Sequence, residues 1–562
     1  MFETIFKEYV DTAYKYVWET PEVFPWIVAL LLATGVYITF RMGWINVRKF
    51  KHAIDVVRGR YDNPEDEGDI NHFQALTTAL SATVGIGNIA GVATAIHYGG
   101  PGTIFWLWVS GIFGMTLKFA ECTLSMLYRT FDKEGHVSGG PMYYIERGLG
   151  KNWKWMAILF AALAVVGSFG SGNMNQSNTV AVSAAADFNA PDWLVGIILA
   201  TAVGLVILGG IKRIGAVSAR VMPTMAVIYI LGALYILINH APQLPGLFAQ
   251  IFTEAWKPKA AFGGTAAGVW HFTLLWGIKR ALFSNEAGQG SAPIAHAAAK
   301  TKEPIREGVV AMVGPFIDTL VICTLTGLVI CVTGVWNQKK FDMWALETNK
   351  IDIYMDPGYQ VEDGILHLED GPGVEKFQGS TQVNNGKAKH VLFSVNDSFI
   401  ENAVLLQNGE PYTGTFKLED KDLTDDRGEN LKLDVEGKSL LNSSALTAWA
   451  FQIGFKGLGK FGNYIVTICV FLFAFSTIVS WSYYGDRCVE YLFGIKYVMI
   501  YRVVYIGFTY MGAVLALETV WTYGDVALGS MMVPNLIAVL LLSPKLVPLT
   551  KEYFSRKHKR YK

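Results

Sequence analysis

Stretches of about 20 mostly apolar residues recur along the chain, and each is long enough to cross a bilayer as a helix. They lie at 24–43, 73–97, 102–128, 155–186, 192–210, 221–240, 266–299, 306–335, 461–484, 498–518 and 523–545. With 52% apolar and 17% charged residues, the 562-residue chain is too apolar for a soluble protein of this size. The sequence therefore predicts an all-α polytopic membrane protein of about eleven spans.

The overall charge gives no sign of a nucleic-acid partner, because the formal net charge is zero. The five cysteines lie in or beside apolar segments and lack metal-ligand spacing, so neither a disulfide framework nor a zinc site is indicated. Acidic residues, and not a basic region, precede the first apolar stretch. We therefore expect it to be a retained helix and not a cleaved signal peptide.

Lys and Arg residues predict the orientation, because cytoplasmic loops of membrane proteins are enriched in them. Basic clusters follow the first, third, fifth, seventh and ninth spans, and the tail 546–562 is also basic. Alternate loops are thus basic. This pattern places the N-terminus outside and the C-terminus in the cytoplasm of a multi-pass protein of the plasma (inner) membrane.

One long region is polar, and it separates the eighth and ninth spans. Residues 337–460 contain alternating runs at 390–395, 403–407, 412–418 and 431–435, and the pairs Asn408-Gly409 and Glu436-Gly437 are typical of hairpin turns. We expect a small β-rich extracytoplasmic insertion. The predicted organisation is 1–72 with the extra N-terminal span, 73–240 as the first five-helix repeat, 241–336 as the start of the second repeat, 337–460 as the insertion, 461–545 as the rest of the second repeat, and 546–562 as the tail.

Two spans are interrupted by glycine-rich polar segments, Ser81–Asn88 and Phe283–Gly290. Exposed backbone at bilayer depth is costly unless it lines a cavity or is buried in protein. Small-residue helix packing can also place glycines in a membrane helix. However, when the first span is set aside, the interrupted spans are the first members of two sets of five, which is typical of an inverted-repeat transporter.

The chemistry of such breaks favours a zwitterion together with a cation. The N-terminus of a half-helix presents unpaired N–H groups to a carboxylate, and carbonyl groups freed at the break can coordinate a positive ion. A single site at the breaks can therefore hold an amino acid and a hard cation.

Longer strings around both breaks resemble a known family. Segment 81–88 is similar to the unwound first helix of the leucine-transporter superfamily. The segments 79–96, 101–108 and 277–299 resemble the alanine-or-glycine:cation symporter family, within that superfamily. The likeness covers both repeats and leaves out the polar insertion.

The resemblance implies a set of substrate contacts. The amides of Ile86 and Gly87 would hold the substrate carboxylate, with Thr83 and Gly85 beside them. Gln176 in the fourth span would contact the substrate through its amide, although an interhelical hydrogen bond is an equal alternative. The remaining positions of the pocket would be Phe283, Thr477 and Trp481, and the two bulky rings leave room for a small side chain.

The resemblance also implies a sodium site, with sodium as a co-substrate and no other cofactor. The ligands would be the carbonyl groups of Ser81, Val84 and Phe473 and the hydroxyl groups of Ser476 and Thr477. Some relatives have a second sodium site at the positions equivalent to Thr83 and Asn88, and whether this chain has one stays open. The alternative for Ser476 and Thr477 is that their hydroxyls bond only to their own helix.

Ionisable residues inside membrane spans are functional candidates because their burial is costly. Glu286 lies in the second break and Arg280 lies near it, and we expect these two residues to form a gate or a structural ion pair in preference to a substrate or proton site. Lys118, Glu121 and Asp318 belong to the same class.

Together these features predict a secondary transporter that imports a small neutral amino acid, alanine or glycine, with sodium by alternating access. Proton coupling and a broader substrate range that includes serine stay open. A receptor that uses the insertion should carry an inward signalling domain, and the inward loops are short. An enzyme should carry a nucleophile–base or metal motif, which the sequence lacks. Expected partners are the amino acid, sodium and the bilayer, with no nucleic acid, and the oligomeric state stays open.

Overall fold

The structure is a computed structural model. It describes residues 2–21, 24–63, 65–131, 137–256, 270–346, 351–355, 361–362, 365–366, 376–395, 398–419, 422–515 and 518–561.

Helices dominate the described chain. The α-helices are α1 Phe2–Trp18, α2 Trp26–Arg41, α3 Ile45–Arg48, α4 Phe50–Val57, α5 His72–Thr83, α6 Val92–Gly99, α7 Thr103–Tyr128, α8 Pro141–Tyr144, α9 Lys154–Phe169, α10 Asn175–Phe188, α11 Asp192–Ile207, α12 Gly210–Asn239, α13 Leu244–Glu254, α14 Trp270–Asn285, α15 Ala292–His296, α16 Pro304–Ala311, α17 Val313–Pro315, α18 Thr324–Val332, α19 Ser443–Gly454, α20 Phe461–Phe493, α21 Val498–Val514 and α22 Glu518–Ser555. Wider π-helical turns at Gly87–Gly91, Ile145–Leu149, Gly170–Met174 and Phe316–Cys323 adjoin several of these helices.

Seven continuous helical segments among the described residues are long and apolar enough to cross a membrane. They are Thr103–Tyr128, Lys151–Phe188, Gly210–Asn239, Pro304–Val332, Phe461–Phe493, Ile495–Val514 and Thr522–Ser555. The pair His72–Thr83 and Gly87–Gly99 makes an eighth span, bent by 52° at its break. Shorter apolar helices lie at the predicted first and fifth spans, Trp26–Arg41 and Asp192–Ile207. A polytopic helical membrane protein is thus confirmed, and the eleven-span inverted repeat stays a prediction.

The N-terminal helix α1 was not predicted from the sequence, because it is too polar for a span. Trp18 at its end donates an indole hydrogen bond to the Asp525 carbonyl of α22 at 2.9 Å. Trp26, at the start of α2, donates to the Tyr16 carbonyl at 2.8 Å. Both bonds hold α1 against the helical core.

The polar region contains strands, as predicted. The strands of the described chain are β1 Thr130–Phe131, β2 Val137–Ser138, β3 Lys339–Ala345, β4 Ile351–Met355, β5 Val361–Glu362, β6 Ile365–Leu366, β7 Gly379–Asn384, β8 Lys387–Ala388, β9 Val391–Val395, β10 Ser398–Phe399, β11 Glu401–Gln407, β12 Glu410–Pro411, β13 Gly414–Glu419, β14 Asp422–Thr424 and β15 Asp434–Leu440. The pair β1–β2 follows α7, and β3–β15 lie in the polar region. Apart from the β1–β2 and β5–β6 pairs, they form antiparallel sheets in the orders β10-β9-β4, β12-β11-β15-β3 and β14-β13-β7-β8. Their apolar faces bury a separate core that includes Phe393, Leu405, Phe416 and Val435.

The two predicted hairpin turns have different outcomes. Asn408 and Gly409 both have positive φ, 53° and 85°, and link β11 to β12 as expected for a type I′ turn. The turn predicted at Glu436-Gly437 is wrong, because both residues lie inside β15, opposite Met343 and Asp342. A glycine is required there by packing, since a Cβ at Gly437 would lie 2.4 Å from the Ile400 side chain.

The strands of the insertion end at Leu440, before the predicted boundary at 460. The next element is the helix α19, whose side chains Leu446, Ala450 and Phe451 are fully buried in the helical core. The Thr447 hydroxyl of α19 donates to the Ile89 carbonyl at the first break, at 2.9 Å. The end of the polar region is therefore packed directly on the interrupted span.

Candidate substrate and cation site

The first interrupted span begins and ends at well-defined signals. A capping box begins α5. The Asn71 side chain accepts a hydrogen bond from the backbone amide of Gln74, and the Gln74 side chain accepts one from the backbone amide of Asn71. The helix ends at Thr83, and Val84 takes φ −75° and ψ 83°, outside the helical region. Its carbonyl therefore leaves the helical hydrogen-bonding pattern, as the sequence predicted for a broken helix.

Side chains accept hydrogen bonds from two of the backbone amides at this break. The Gly85 amide donates to Oδ1 of Asn88 at 2.9 Å. The Ile86 amide donates to Oε1 of Gln176 at 3.4 Å, a long bond that joins the break to α10. Gln176 is 4% exposed, so its amide points into a buried space and not into lipid.

Glycine is needed at both break positions because neighbouring helices approach the backbone. A Cβ at Gly85 would lie 2.5 Å from Oγ1 of Thr477 and 3.4 Å from Oε1 of Gln176. A Cβ at Gly87 would lie 3.0 Å from Cδ1 of Phe283. The structure thus brings Gly85, Gly87, Gln176, Phe283 and Thr477 together around one segment of backbone.

Four residues of the predicted sodium set form one oxygen cluster. The Ser81 carbonyl accepts hydrogen bonds from Thr477 at 3.1 Å and from Ser476 at 3.3 Å. The Phe473 carbonyl, at 2.9 Å, is the alternative acceptor for the single proton of the Ser476 hydroxyl. All of these groups are buried, and neutral oxygen ligands of this kind suit a hard cation. The hydroxyls bond across to α5, so they do not bond only to their own helix.

Trp481 connects three elements of the site. Its indole N–H donates to Oε1 of Glu286 in the second break at 2.9 Å. A Cβ at Gly172, in the π-helical turn before α10, would lie 2.5 Å from Cγ of Trp481. The ring is 2% exposed. It therefore fills the space between the fourth span and the second break.

The second break is a tight loop between α14 and α15. Glu286, Gly288 and Gly290 all have positive φ, at 53°, 85° and 83°. Glu286 accepts a hydrogen bond from the Ser291 hydroxyl at 2.5 Å in addition to that from Trp481. A non-glycine residue at positive φ stores backbone strain and is typical of functional sites.

Arg280 and Glu286 do not form an ion pair in this structure. The Arg280 guanidinium lies 5.1 Å from the centre of the Trp276 ring. It borders a cavity together with Lys279, Phe283 and Asp525. In this conformation the two charges therefore have separate partners, and a gate between them stays a prediction.

The predicted second sodium pair, Thr83 and Asn88, is also engaged elsewhere. The Thr83 hydroxyl donates to the Leu80 carbonyl at 3.3 Å. The Asn88 amide group donates to Asp318 at 2.6 Å and to Ser284 at 2.9 Å. Asn88 thus links the first break to α14 and to the π-helical turn Phe316–Cys323.

Asp318 was only one of several charged candidates in the sequence, yet it is the centre of this network. It is fully buried and accepts hydrogen bonds from Ser284 and from Thr319, each at 2.8 Å, in addition to Asn88. The sequence signal was a single carboxylate in an apolar stretch. The partners Asn88 and Ser284 could not be found from spacing, because they come from two other spans.

A second buried cluster ties the far ends of the interrupted spans. Glu307 of α16 accepts from Nδ1 of His296 in α15 at 2.5 Å and contacts Nδ1 of His72 in α5. All three side chains are at most 1% exposed. The start of α5 and the end of α15 are therefore held together by one carboxylate.

Interrupted spans that meet around buried polar groups, within a multi-pass helical fold, define a membrane transporter. The sequence profile of the sodium:alanine symporter family matches residues 3–358 and 431–562. This chain belongs to the sodium:alanine symporter family, and it is a cation-coupled amino-acid symporter and not an enzyme. The unmatched residues 359–430 fall within the β-rich insertion.

Named relatives align over almost the whole chain. It is 36% identical to the sodium/alanine symporter AgcS of Methanococcus maripaludis, over 98% of this chain and 97% of the relative. It is 30% identical to the putative sodium/proton-dependent alanine carrier protein YrbD of Bacillus subtilis, over 98% and 93%. It is 31% identical to the probable sodium/glutamine symporter GlnT of Bacillus subtilis, over 94% and 88%.

Proposed function

We propose that this protein imports a small neutral amino acid, alanine or glycine, together with sodium by alternating access. The observation that carries the proposal is the buried oxygen cluster of Ser81, Phe473, Ser476 and Thr477 beside the first break. The names of the relatives AgcS and YrbD, both of which mention alanine, support the substrate class. The name of GlnT shows that the family also contains a relative assigned to a larger substrate.

The substrate would bind at the first break. Its carboxylate would accept hydrogen bonds from the backbone amides of Ile86 and Gly87. Gln176 would then exchange its long hydrogen bond to the Ile86 amide for a contact with the substrate. Phe283 and Trp481 would limit the side chain of the substrate. A methyl group or a hydrogen atom fits such a site better than a branched side chain.

Sodium would bind at the oxygen cluster. The carbonyls of Ser81, Val84 and Phe473 would coordinate it, and the hydroxyls of Ser476 and Thr477 would rotate their protons away from these carbonyls and present their lone pairs to the ion. Because the ligands come from both α5 and α20, sodium would lock these two helices together. Sodium binding would thereby order the break for the substrate, which is the energetic coupling that symport requires.

The proposed orientation places the N-terminus outside and the tail in the cytoplasm, in line with the basic loops. In the proposed inverted repeat, α5–α6 and α14–α15 are equivalent interrupted spans. The presence of a break in both supports this arrangement.

Sodium dependence tests the proposal most directly. Thr477→Ala removes one hydroxyl ligand of the proposed sodium site. A hydroxyl that contacts a charged group contributes about 1.5–3 kcal/mol, as hydrogen bonds to charged groups do. We therefore expect the sodium concentration for half-maximal alanine uptake into proteoliposomes to rise by about tenfold or more. Ser482→Ala is the matched control, because this buried hydroxyl on the same helix bonds only to the Val479 carbonyl one turn away. An unchanged sodium response in Thr477→Ala would remove this residue from the site.

Substrate size tests the role of Trp481. Trp481→Phe enlarges the pocket. An apolar pocket distinguishes substrates that differ by one methylene group by about 10–200-fold. We expect uptake of methionine relative to alanine to rise by about tenfold. Trp449→Phe on α19 is the control, since Trp449 borders a different cavity. Equal selectivity in both variants would argue against Trp481 as a wall of the substrate pocket.

Proton coupling is the second candidate, and one observation favours it. Lys118 is 2% exposed, and its amine has no hydrogen-bond partner among the described residues. It lies within electrostatic range of Glu121, Glu286 and Asp318. Uptake driven by an imposed pH gradient without sodium, and lost in Lys118→Met, would favour protons over sodium as the coupling ion.

A further inference from the structure

A cavity of about 420 Å³ lies away from the substrate site, between the end of α2 and the C-terminal part of α22. Four basic side chains line it, Arg41, Arg48, Lys49 and Lys551. No carboxylate is among its lining residues in the described chain, and Glu552, the next residue after Lys551, does not line it. The cavity is therefore a concentrated positive site.

None of these four cations forms an ion pair with a described carboxylate. Arg41 donates to the Tyr37 hydroxyl at 2.6 Å, and Arg48 donates to the Gly43 carbonyl at 2.9 Å. The Lys49 amine lies 4.2 Å from the centre of the Phe554 ring. Like charges around one cavity repel each other, so a bound anion would lower the energy of this arrangement.

Two further features shape the cavity for such an anion. Gly43 has φ 61°, and a Cβ there would lie 2.8 Å from Nη1 of Arg48, so glycine permits the guanidinium to fold against the chain. The Thr550 hydroxyl lines the same cavity, and its oxygen is buried without a hydrogen-bond partner in the described chain. The cavity thus offers an unused hydroxyl donor besides its cations.

The surroundings distinguish a lipid from a soluble anion. Met42 and Ile45 line the cavity and are buried. Beside them, Phe40 is 62% exposed, Val47 is 67% exposed and Trp44 is 38% exposed. Large exposed apolar side chains next to a Trp are typical of the level where a membrane protein meets the lipid head groups. An anion with apolar chains can therefore occupy the cavity and these side chains together.

We propose that this cavity binds the phosphate head group of an anionic phospholipid. Arg41, Arg48, Lys49 and Lys551 surround the phosphate, and Thr550 donates to one of its oxygens. The acyl chains lie along Phe40, Trp44 and Val47. Basic pockets between membrane helices on the cytoplasmic side are known to suit such head groups. The bound lipid would bridge the extra N-terminal span and the C-terminal helix.

Lipid retention by the purified full-length chain tests the proposal. Native mass spectrometry in detergent would compare binding of palmitoyl-oleoyl phosphatidylglycerol and palmitoyl-oleoyl phosphatidylcholine. The variant Arg41→Gln/Arg48→Gln/Lys551→Gln removes three charges from the cavity. The control Lys557→Gln/Lys559→Gln/Arg560→Gln removes three charges from the exposed tail just beyond it. Because each basic residue near an anionic lipid contributes roughly a fivefold gain, the cavity variant should bind phosphatidylglycerol at least about tenfold more weakly, and the control should stay within about twofold.

The outcomes separate the possible ligands. Equal phosphatidylglycerol binding by wild type and cavity variant, or equal binding of both lipids by wild type, would overturn the proposal. Displacement of the lipid by excess inorganic phosphate would also overturn it, because the site would then recognise a free anion. If the triple variant does not fold, Arg48→Gln carries the same test, with an expected loss of about threefold or more.

Discussion

Gly85→Ala is expected to lower amino-acid uptake by about 100-fold while the protein still folds. The added Cβ would lie 2.5 Å from Oγ1 of Thr477, so either the break or α20 must move. Overpacking a tight interior costs about 1–3 kcal/mol, and the upper part of this range corresponds to about 100-fold in an equilibrium. The displaced atoms belong to both the proposed sodium cluster and the proposed substrate contacts.

The measurement is sodium-driven uptake of radiolabelled alanine into proteoliposomes, normalised to the amount of folded protein. Gly507→Ala is the matched control, because this glycine is also in the helical part of the chain but a Cβ there meets nothing within 4 Å. It should transport like wild type. Normal transport by Gly85→Ala would show that the first break does not approach α20 as closely in the working cycle.

Asp318→Ala is expected to remove uptake and to lower the melting temperature of the protein in detergent by several degrees. The carboxylate accepts hydrogen bonds from Asn88, Ser284 and Thr319, all of which are buried. Its removal leaves these donors without acceptors, and each buried unsatisfied group costs about 1–3 kcal/mol. The loss therefore affects the first break, α14 and the π-helical turn together.

Two comparisons separate this network from a general effect of removing a charge. Asp318→Asn keeps one acceptor oxygen, so it should have an intermediate melting temperature. Asp342→Ala removes a carboxylate from β3 of the insertion and should leave uptake within about twofold, as for surface substitutions away from special features. A wild-type melting temperature and uptake in Asp318→Ala would contradict a structural role for the network.

Several elements could be predicted from the sequence because their signals are local. Apolar length predicted a multi-pass helical protein, and glycines beside polar residues predicted both breaks. Asn408-Gly409 predicted its turn, because the required positive φ is a property of those two residues. Glu436-Gly437 carries a similar local signal, but its glycine is needed for the approach of Ile400 inside a strand. A glycine has more than one reason to be present, and the sequence does not distinguish them.

The oxygen cluster at the Ser81 carbonyl shows the same difference between what is local in the sequence and what is not. Ser476 and Thr477 were identified by resemblance, and spacing alone allowed them to bond only to their own helix. The structure shows that both hydroxyls reach the Ser81 carbonyl, almost 400 positions away in the chain. The pairing of Arg280 with Glu286 was inferred from proximity along the chain, and each has a different partner in the folded protein.

The chain of amino acids by itself determined that this protein is a polytopic helical membrane protein, with one break between α5 and α6 and another between α14 and α15. It did so because a bilayer imposes length, apolarity and backbone pairing on each segment separately. Only the tertiary structure decided that Asp318 joins the two breaks, that Glu307 joins their far ends, and that basic residues from both ends of the chain surround one cavity. These are contacts between segments that are distant in the sequence. Their energies depend on which helices pack together and not on the local sequence.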